Sequence, residues 1–173
     1  MSEPLAAPVV RPPDAVGRTL FFLSRLFAGV GGLVLLSVAL MSVGSIASRV
    51  FRGTSLLGDF ELVQIGAAIA IASFLPWGQM RGTHVFVDFF TTRASPAARR
   101  WLDAVGALLL ALCAALVTWR MALGTIGLKD SGETTMLLAV PVWYAYALMT
   151  PSFALLAATG LYAAWRKLRE GRA

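Results

Sequence analysis

Uncharged, strongly apolar runs alternate with short clusters of charge along this chain, and the spacing of the clusters predicts helices that cross a bilayer. Positions 26 to 48, between Arg25 and Arg49, make 23 consecutive uncharged residues rich in Leu, Val, Gly and Ser. Positions 62 to 80, between Glu61 and Arg81, make 19. A spanning helix needs about 20 predominantly apolar residues, so each run predicts one span. The third is interrupted, because only 16 uncharged residues (104 to 119) separate Asp103 from Arg120. It becomes a full span if the helix continues through "RMALGTIGL" to Leu128, with Arg120 near one face and snorkelling. The fourth run, 134 to 165, has 32 residues, too many for one straight helix. Its spanning part is placed from Val140 to Trp165, with "TTMLLAV" a loop or re-entrant segment before Pro141. The pattern predicts an all-α integral membrane protein with four transmembrane helices.

Between the second and third spans, "MRGTHVFVDFF" (Met80 to Phe90) holds the only histidine of the chain. His84, Asp88 and Thr91 or Thr92 recur at helical spacing and leave Val85, Phe86, Phe89 and Phe90 on the other side. That division predicts a short interfacial amphipathic helix from Val85 to Thr92. A strand is the other reading of the alternation, but an unpaired strand at a membrane surface leaves backbone groups unsatisfied. Ser95 and Pro96 then read as the N-cap and first position of a helix leading into the third span, with Arg99, Arg100 and Trp101 anchoring its entry. Small residues at four-residue spacing (Ala28 and Gly32; Ala107, Ala111 and Ala115; Ala154 and Ala158) mark expected lines of close helix approach. Pro151 is expected to bend the fourth span and free a carbonyl near Ala147.

Composition and charge sharpen this picture. Of 173 residues 58% are hydrophobic and 14% charged, and mean hydropathy is +0.74. Soluble domains carry about 25% charged residues, which argues against a soluble fold. The net charge of +6 does not point to nucleic acid, since the basic residues flank apolar runs instead of forming one face. They sort by side. Eleven (Arg11, Arg18, Arg25, Arg81, Arg93, Arg99, Arg100, Arg166, Lys167, Arg169, Arg172) fall with the two termini, and three (Arg49, Arg52, Lys129) fall on the opposite side. Cytoplasmic segments favour positive charge, so both termini are expected inside. The segment "MSEPLAAPVVRPPDAVGR" lacks the layout of a secretory signal. It reads as a flexible cytoplasmic tail over 1–17, ahead of a membrane domain over 18–168 and a short tail over 169–173.

The residues offer little for catalysis. One histidine cannot supply the two or three protein ligands that zinc or a b-type haem needs, and no cysteine framework accompanies Cys113. Neither a metal nor a cofactor is expected. The mid-membrane stretches lack Asp, Glu, Lys and His, which disfavours an acid–base enzyme and a carrier acting alone. Asp59 and Glu61 open the second span, where carboxylates meet the positive end of the helix dipole or a basic residue of a partner. Arg120 either snorkels or pairs with Asp59 or Glu61, within this chain or across a subunit boundary. Arg81, His84 and Asp88 read as a structural corner. Arg49, Arg52, Asp59, Glu61, Lys129, Asp130 and Glu133 fall in two loops on the outer side, either as solvated loop charges or as a docking patch of mixed sign.

Taken together, the acidic opening of the second span, the basic glycine turn and "RGTHVFVDFF" resemble the small membrane subunit, DctQ type, of tripartite ATP-independent periplasmic (TRAP) transporters. Arg81, Gly82, His84, Val85 and Asp88 fit that family's corner. Pro141, Trp143 and Tyr144 in "LAVPVWYAYALMTPSF" fit its stretch before the fourth span. The acidic pair departs from the pattern, being embedded in "GDFE" and not in a tryptophan-led segment. The resemblance covers residues 18 to 168. It implies a non-catalytic inner-membrane subunit in contact with lipid, partnered by a large elevator-type permease subunit and a periplasmic substrate-binding protein, in sodium-coupled uptake of an organic acid. It also implies that Arg81, Gly82, His84, Asp88, Trp143 and Tyr144 brace the chain or contact the large subunit. The alternative is a free-standing four-helix membrane protein, either a redox-complex subunit or a small exporter.

Overall fold

The computed structural model describes residues 14–54, 57–81 and 96–170, the side chains of Arg52, residues 96–100 and Glu170 excepted. Four helices make up these residues: α1 (Ala15–Arg52), α2 (Asp59–Arg81), α3 (Pro96–Ser131) and α4 (Trp143–Glu170). All four are long and apolar enough to cross a membrane, in agreement with the hydropathy pattern. The interfacial helix expected over Val85 to Thr92 lies outside the described residues. α3 begins at Pro96, as a proline at the first helical position allows.

The helices outrun the apolar runs that predict them. α1 has 38 residues, about 57 Å at 1.5 Å per residue against a hydrocarbon core of about 30 Å. It begins at Ala15, inside the segment expected to be tail, while α4 continues past Trp165 to Glu170. At its other end α4 starts at Trp143, three residues later than Val140. The backbone before it is committed to a tight turn. Thr135 N–H donates to Val140 O (2.9 Å), Val142 N–H donates to Glu133 O (3.1 Å), and Thr134 bridges Pro141. "TTMLLAV" is therefore the tip of this turn. Pro151 sits inside α4 without ending it, and a second proline, Pro76, does the same in α2.

α1 packs on α2 and α3 packs on α4 as two antiparallel hairpins, and α2 against α4 joins them. α1 and α3 are thus the outer helices of the row. One end of the bundle carries the two termini. The other carries the two hairpin connections.

The α1–α2 seam is built from small residues seven apart. Ser24, Gly31 and Ser45 are buried on α1, with Val38 completing the repeat. Opposite them α2 presents Asp59, Gly66 and Ser73 at the same spacing. The pairing is direct: Ser45 Oγ donates to Asp59 Oδ2, a Cβ on Gly66 would lie 2.3 Å from Val38 Cγ2, and one on Gly31 would lie 2.9 Å from Ser73 Cβ. A seven-residue repeat of this kind sets two helices in knobs-into-holes register, and in lipid close backbone approach replaces the hydrophobic effect as the driving force.

The α3–α4 seam alternates three and four residues. Ala114 is buried against Leu156 and Ala157, a Cβ on Gly160 would meet Ala111 Cβ at 3.0 Å and Ala107 O at 3.3 Å, and Ala104 is buried further toward the terminal end. Of the four-residue stripes read from the sequence, Ala107 and Ala111 lie at this close approach, while other members are corrected. Ala115 and Ala154 are exposed, and Gly31 makes the close approach while Gly32 meets nothing. Straight i, i+4 rows drift around a helix, whereas 3–4 alternation stays on one face.

Gly66→Ala should lower the apparent Tm of the detergent-solubilised protein, a cost of about 1–3 kcal/mol for overpacking. Val38→Ala in the same chain should recover most of the loss. Additive effects of the two substitutions, measured by thermal unfolding, would mean that they do not share a seam.

Candidate functional site

Described charged side chains other than Arg120 gather toward the two ends of the bundle, and the hairpin end holds the most connected group. α1 closes at Gly53, whose N–H donates to Arg49 O (3.0 Å). α2 then starts behind Gly58, whose carbonyl accepts the Leu62 N–H. Gly58 has φ +75, in the left-handed region, and a Cβ there would lie 2.3 Å from Leu138 Cγ. Backbone and packing each require glycine at this position. With the chain turned in this way, Asp59 faces α1 and Glu61 faces the loop between α3 and α4.

Glu61 acts as a clamp. Leu137 N–H donates to its Oε1 at 2.8 Å and Leu138 N–H donates to its Oε2 at 3.1 Å. The Met136 amide and the Thr135 side chain face the same carboxylate. Thr135 Oγ1 in turn accepts Val140 N–H at 3.2 Å. The turn needs such a partner because Ala139 takes a positive φ of 52 and the amides of the tip have no helical acceptor. A carboxylate accepting backbone amides makes the stronger, charge-assisted class of hydrogen bond. Asp59 has the complementary task on the other side: it accepts from Ser45 Oγ and from Phe60 N–H (2.7 Å), and Arg49 attracts it electrostatically. The two acids expected at a helix N-terminus therefore also tie three segments together.

The remaining outer-end residues are more loosely placed. Trp143 stacks on Tyr144 with ring centroids 4.0 Å apart, and Lys129 Nζ lies 5.7 Å from the centre of the Trp143 ring. Arg49, Lys129, Asp130 and Glu133 are exposed at this end, and Arg52 is the last residue of α1. Arg120 is exposed on α3 away from this group, and no ion pair joins it to Asp59 or Glu61.

At the terminal end the contacts are between cations, aromatic rings and carboxylates. Arg81 lies 5.2 Å from the centre of the Trp77 ring, whose other neighbour is Phe21 of α1 at 4.9 Å. Arg169 lies 5.2 Å from the Trp165 ring. Lys167 pairs with Asp103 at 2.8 Å, joining α4 to α3, and Tyr162 reaches Asp14 of α1 at 3.5 Å. Half-exposed pairs like Lys167–Asp103 contribute little to stability, but aromatic rings paired with cations are the side chains favoured at a membrane interface. Of the corner residues the structure places only Arg81; Gly82, His84 and Asp88 lie outside the described residues. No cluster of three His, Cys, Asp or Glu that could hold a metal occurs among the described residues.

Sequence reasoning missed the Glu61 clamp, the Ser45–Asp59 contact and the Lys167–Asp103 pair. The clamp joins residues 76 positions apart, and no local spacing encodes that. A signal was present for Gly58, a glycine directly before an acidic helix start.

Residues 38–170 match the family model described as tripartite ATP-independent periplasmic transporters, DctQ component. No curated protein and no solved structure is a significant match to the chain.

Glu61→Gln should lower the apparent Tm of the detergent-solubilised protein, since one acceptor oxygen is replaced by a donor facing amide donors. Hydrogen exchange at the Leu137 and Leu138 amides should accelerate in parallel. Glu133→Gln, at an exposed position of the same turn, should change neither. Equal exchange in wild type and Glu61→Gln would show that the carboxylate does not hold the loop.

Proposed function

The chain belongs to the DctQ component family of tripartite ATP-independent periplasmic transporters, and from that membership we propose that it is the fixed scaffold in sodium-coupled uptake of an organic acid. It is a small permease subunit and a multi-pass protein of the inner membrane. Small subunits of this family work with a large membrane subunit and a substrate-binding protein. In the proposed assembly the large subunit moves substrate and sodium in an elevator-type cycle. This chain widens the platform past which the moving part travels.

The family match carries this reading, and the disposition of charge supports it. A carrier of an organic anion and sodium places charged or unwound polar elements near the membrane centre. Here the central stretches lack Asp, Glu, Lys and His, while Asp59, Glu61 and Asp103 are occupied by contacts within the chain. These three carboxylates serve the fold of the chain itself, which suits a supporting subunit better than a carrier. The eleven-to-three division of basic residues supports an orientation with both termini in the cytoplasm. In that orientation the corner of Arg81, Gly82, His84 and Asp88 turns the chain at the cytoplasmic headgroup level and braces the assembly. Trp143 and Tyr144 take the matching position on the periplasmic side, and both ends meet lipid. The charges of mixed sign at Arg49, Arg52, Lys129, Asp130 and Glu133 face the periplasm and offer a transient docking patch for the binding protein.

Liposomes test this directly. Labelled dicarboxylate or sialic acid should accumulate under an inward sodium gradient only when this chain, the large subunit and the binding protein are all present. Accumulation driven by this chain alone, or undiminished uptake when it is left out, would overturn the reading.

A further inference from the structure

Arg120 is the one charged residue well inside a span, and its surroundings in this chain leave it unmatched. Two contacts between α3 and α4 fix its depth. Lys129 lies beside Trp143 at the hairpin end, and Asp103 pairs with Lys167 at the terminal end. Arg120 stands nine residues before Lys129 and seventeen after Asp103, or about 14 Å and about 26 Å along the helix at 1.5 Å per residue. Headgroup to headgroup a bilayer measures about 40–45 Å, so its Cα falls within the hydrocarbon, in the half nearer the hairpin end. Snorkelling toward that nearer surface works against helix geometry. Cα–Cβ bonds tilt toward the helix N-terminus, which on α3 is the more distant surface. The side chain therefore starts out toward the membrane centre.

Its face is also uncovered. α3 buries Ala104, Ala111 and Ala114 against α4, while Leu109, Leu112, Leu116, Trp119 and Leu123 are exposed around Arg120. Arg120 is itself exposed, and no hydrogen bond or ion pair engages it among the described residues. An unmatched guanidinium facing lipid at this depth is costly. A second copy of this chain cannot match it at the same depth, because its carboxylates all lie at or beyond span ends (Glu3, Asp14, Asp59, Glu61, Asp88, Asp103, Asp130, Glu133, Glu170).

The geometry points to the Arg120 face of α3 as the surface covered by the large permease subunit, which contributes a carboxylate to Arg120 within the membrane. This assignment rests on the scaffold reading above and adds to it a face and a chemical complement. Leu116 and Leu123, one turn to either side, pack against the same partner. An Arg–carboxylate pair in lipid fixes rotation and depth of one helix against another more sharply than apolar packing does.

The test uses the chain co-expressed with its large subunit. With a photoreactive benzoylphenylalanine at Leu116 or Leu123 and Arg120 intact, irradiation should give an adduct with the large subunit. Arg120→Gln should lower the amount of large subunit that co-purifies by about tenfold, the size expected for loss of one interhelical polar contact. Arg120→Lys should lower it less. Adducts confined to lipid or to a second copy of this chain would overturn the assignment, as would co-purification unchanged in Arg120→Gln. Should Arg120→Gln fail to fold, seen as lost helicity, the adducts formed with Arg120 intact decide the question. If the unaltered chain fails to retain the large subunit, the scaffold reading itself fails. If it retains the large subunit without forming these adducts, only the face is wrong.

Discussion

Glu61 of α2 accepts the amides of Leu137 and Leu138, and through that carboxylate the first hairpin holds the turn that closes the second. The contact matters because of the solvent. Lipid tails are as apolar as leucine, so burying a leucine between helices gains nothing comparable to burying it from water. Polar groups at the membrane edge and close backbone approach must then determine how the two hairpins sit. Glu61 meets the first need with charge-assisted bonds to amides that the positive φ of Ala139 leaves without helical acceptors. Gly58 meets the second, admitting Leu138 where any Cβ would collide.

The same economy of means appears along the seams. Gly31, Val38 and Ser45 face Ser73, Gly66 and Asp59 in strict register, so a single seven-residue repeat sets the angle, depth and rotation of α1 on α2. At the terminal end Phe21, Trp77 and Arg81 complete that hairpin, and Lys167–Asp103 completes the other. Arg120, the one charge deep in a span, has no counterpart among the described residues, which is the physical reason to look for one outside the chain.

The helices were legible in the sequence because lipid demands long uncharged runs, and Arg25–Arg49 and Glu61–Arg81 bracket theirs unambiguously. Their ends were less so. Uncharged runs mark the hydrocarbon, whereas α1 and α4 continue beyond them, where backbone hydrogen bonding and contacts such as Lys167–Asp103 sustain the helix. Ala107 and Ala111 lie on the seam as the sequence suggests, but Gly31 and Ala114 take the places expected of Gly32 and Ala115, since alanine-rich helices carry several small-residue stripes and only the partner selects one. Of the candidate site, Arg81 lies over the Trp77 ring and Trp143 stacks on Tyr144, contacts that local spacing does not specify. The clamp made by Glu61 could not be read, because its acceptors and donors belong to different hairpins.

A platform for a moving partner has to be stiff, and the clamp and the two seams together make the four helices one body. The most direct test places spin labels at Ile46 on α1 and Ile126 on α3, exposed positions on the two outermost helices, in the assembled transporter. Pulsed electron resonance should give one narrow distance distribution that is the same with and without sodium and substrate. A shift of about 5 Å, the size of a one-turn slip between packed helices, would mean that the hairpins move against each other during transport, and the account of a fixed scaffold would be wrong.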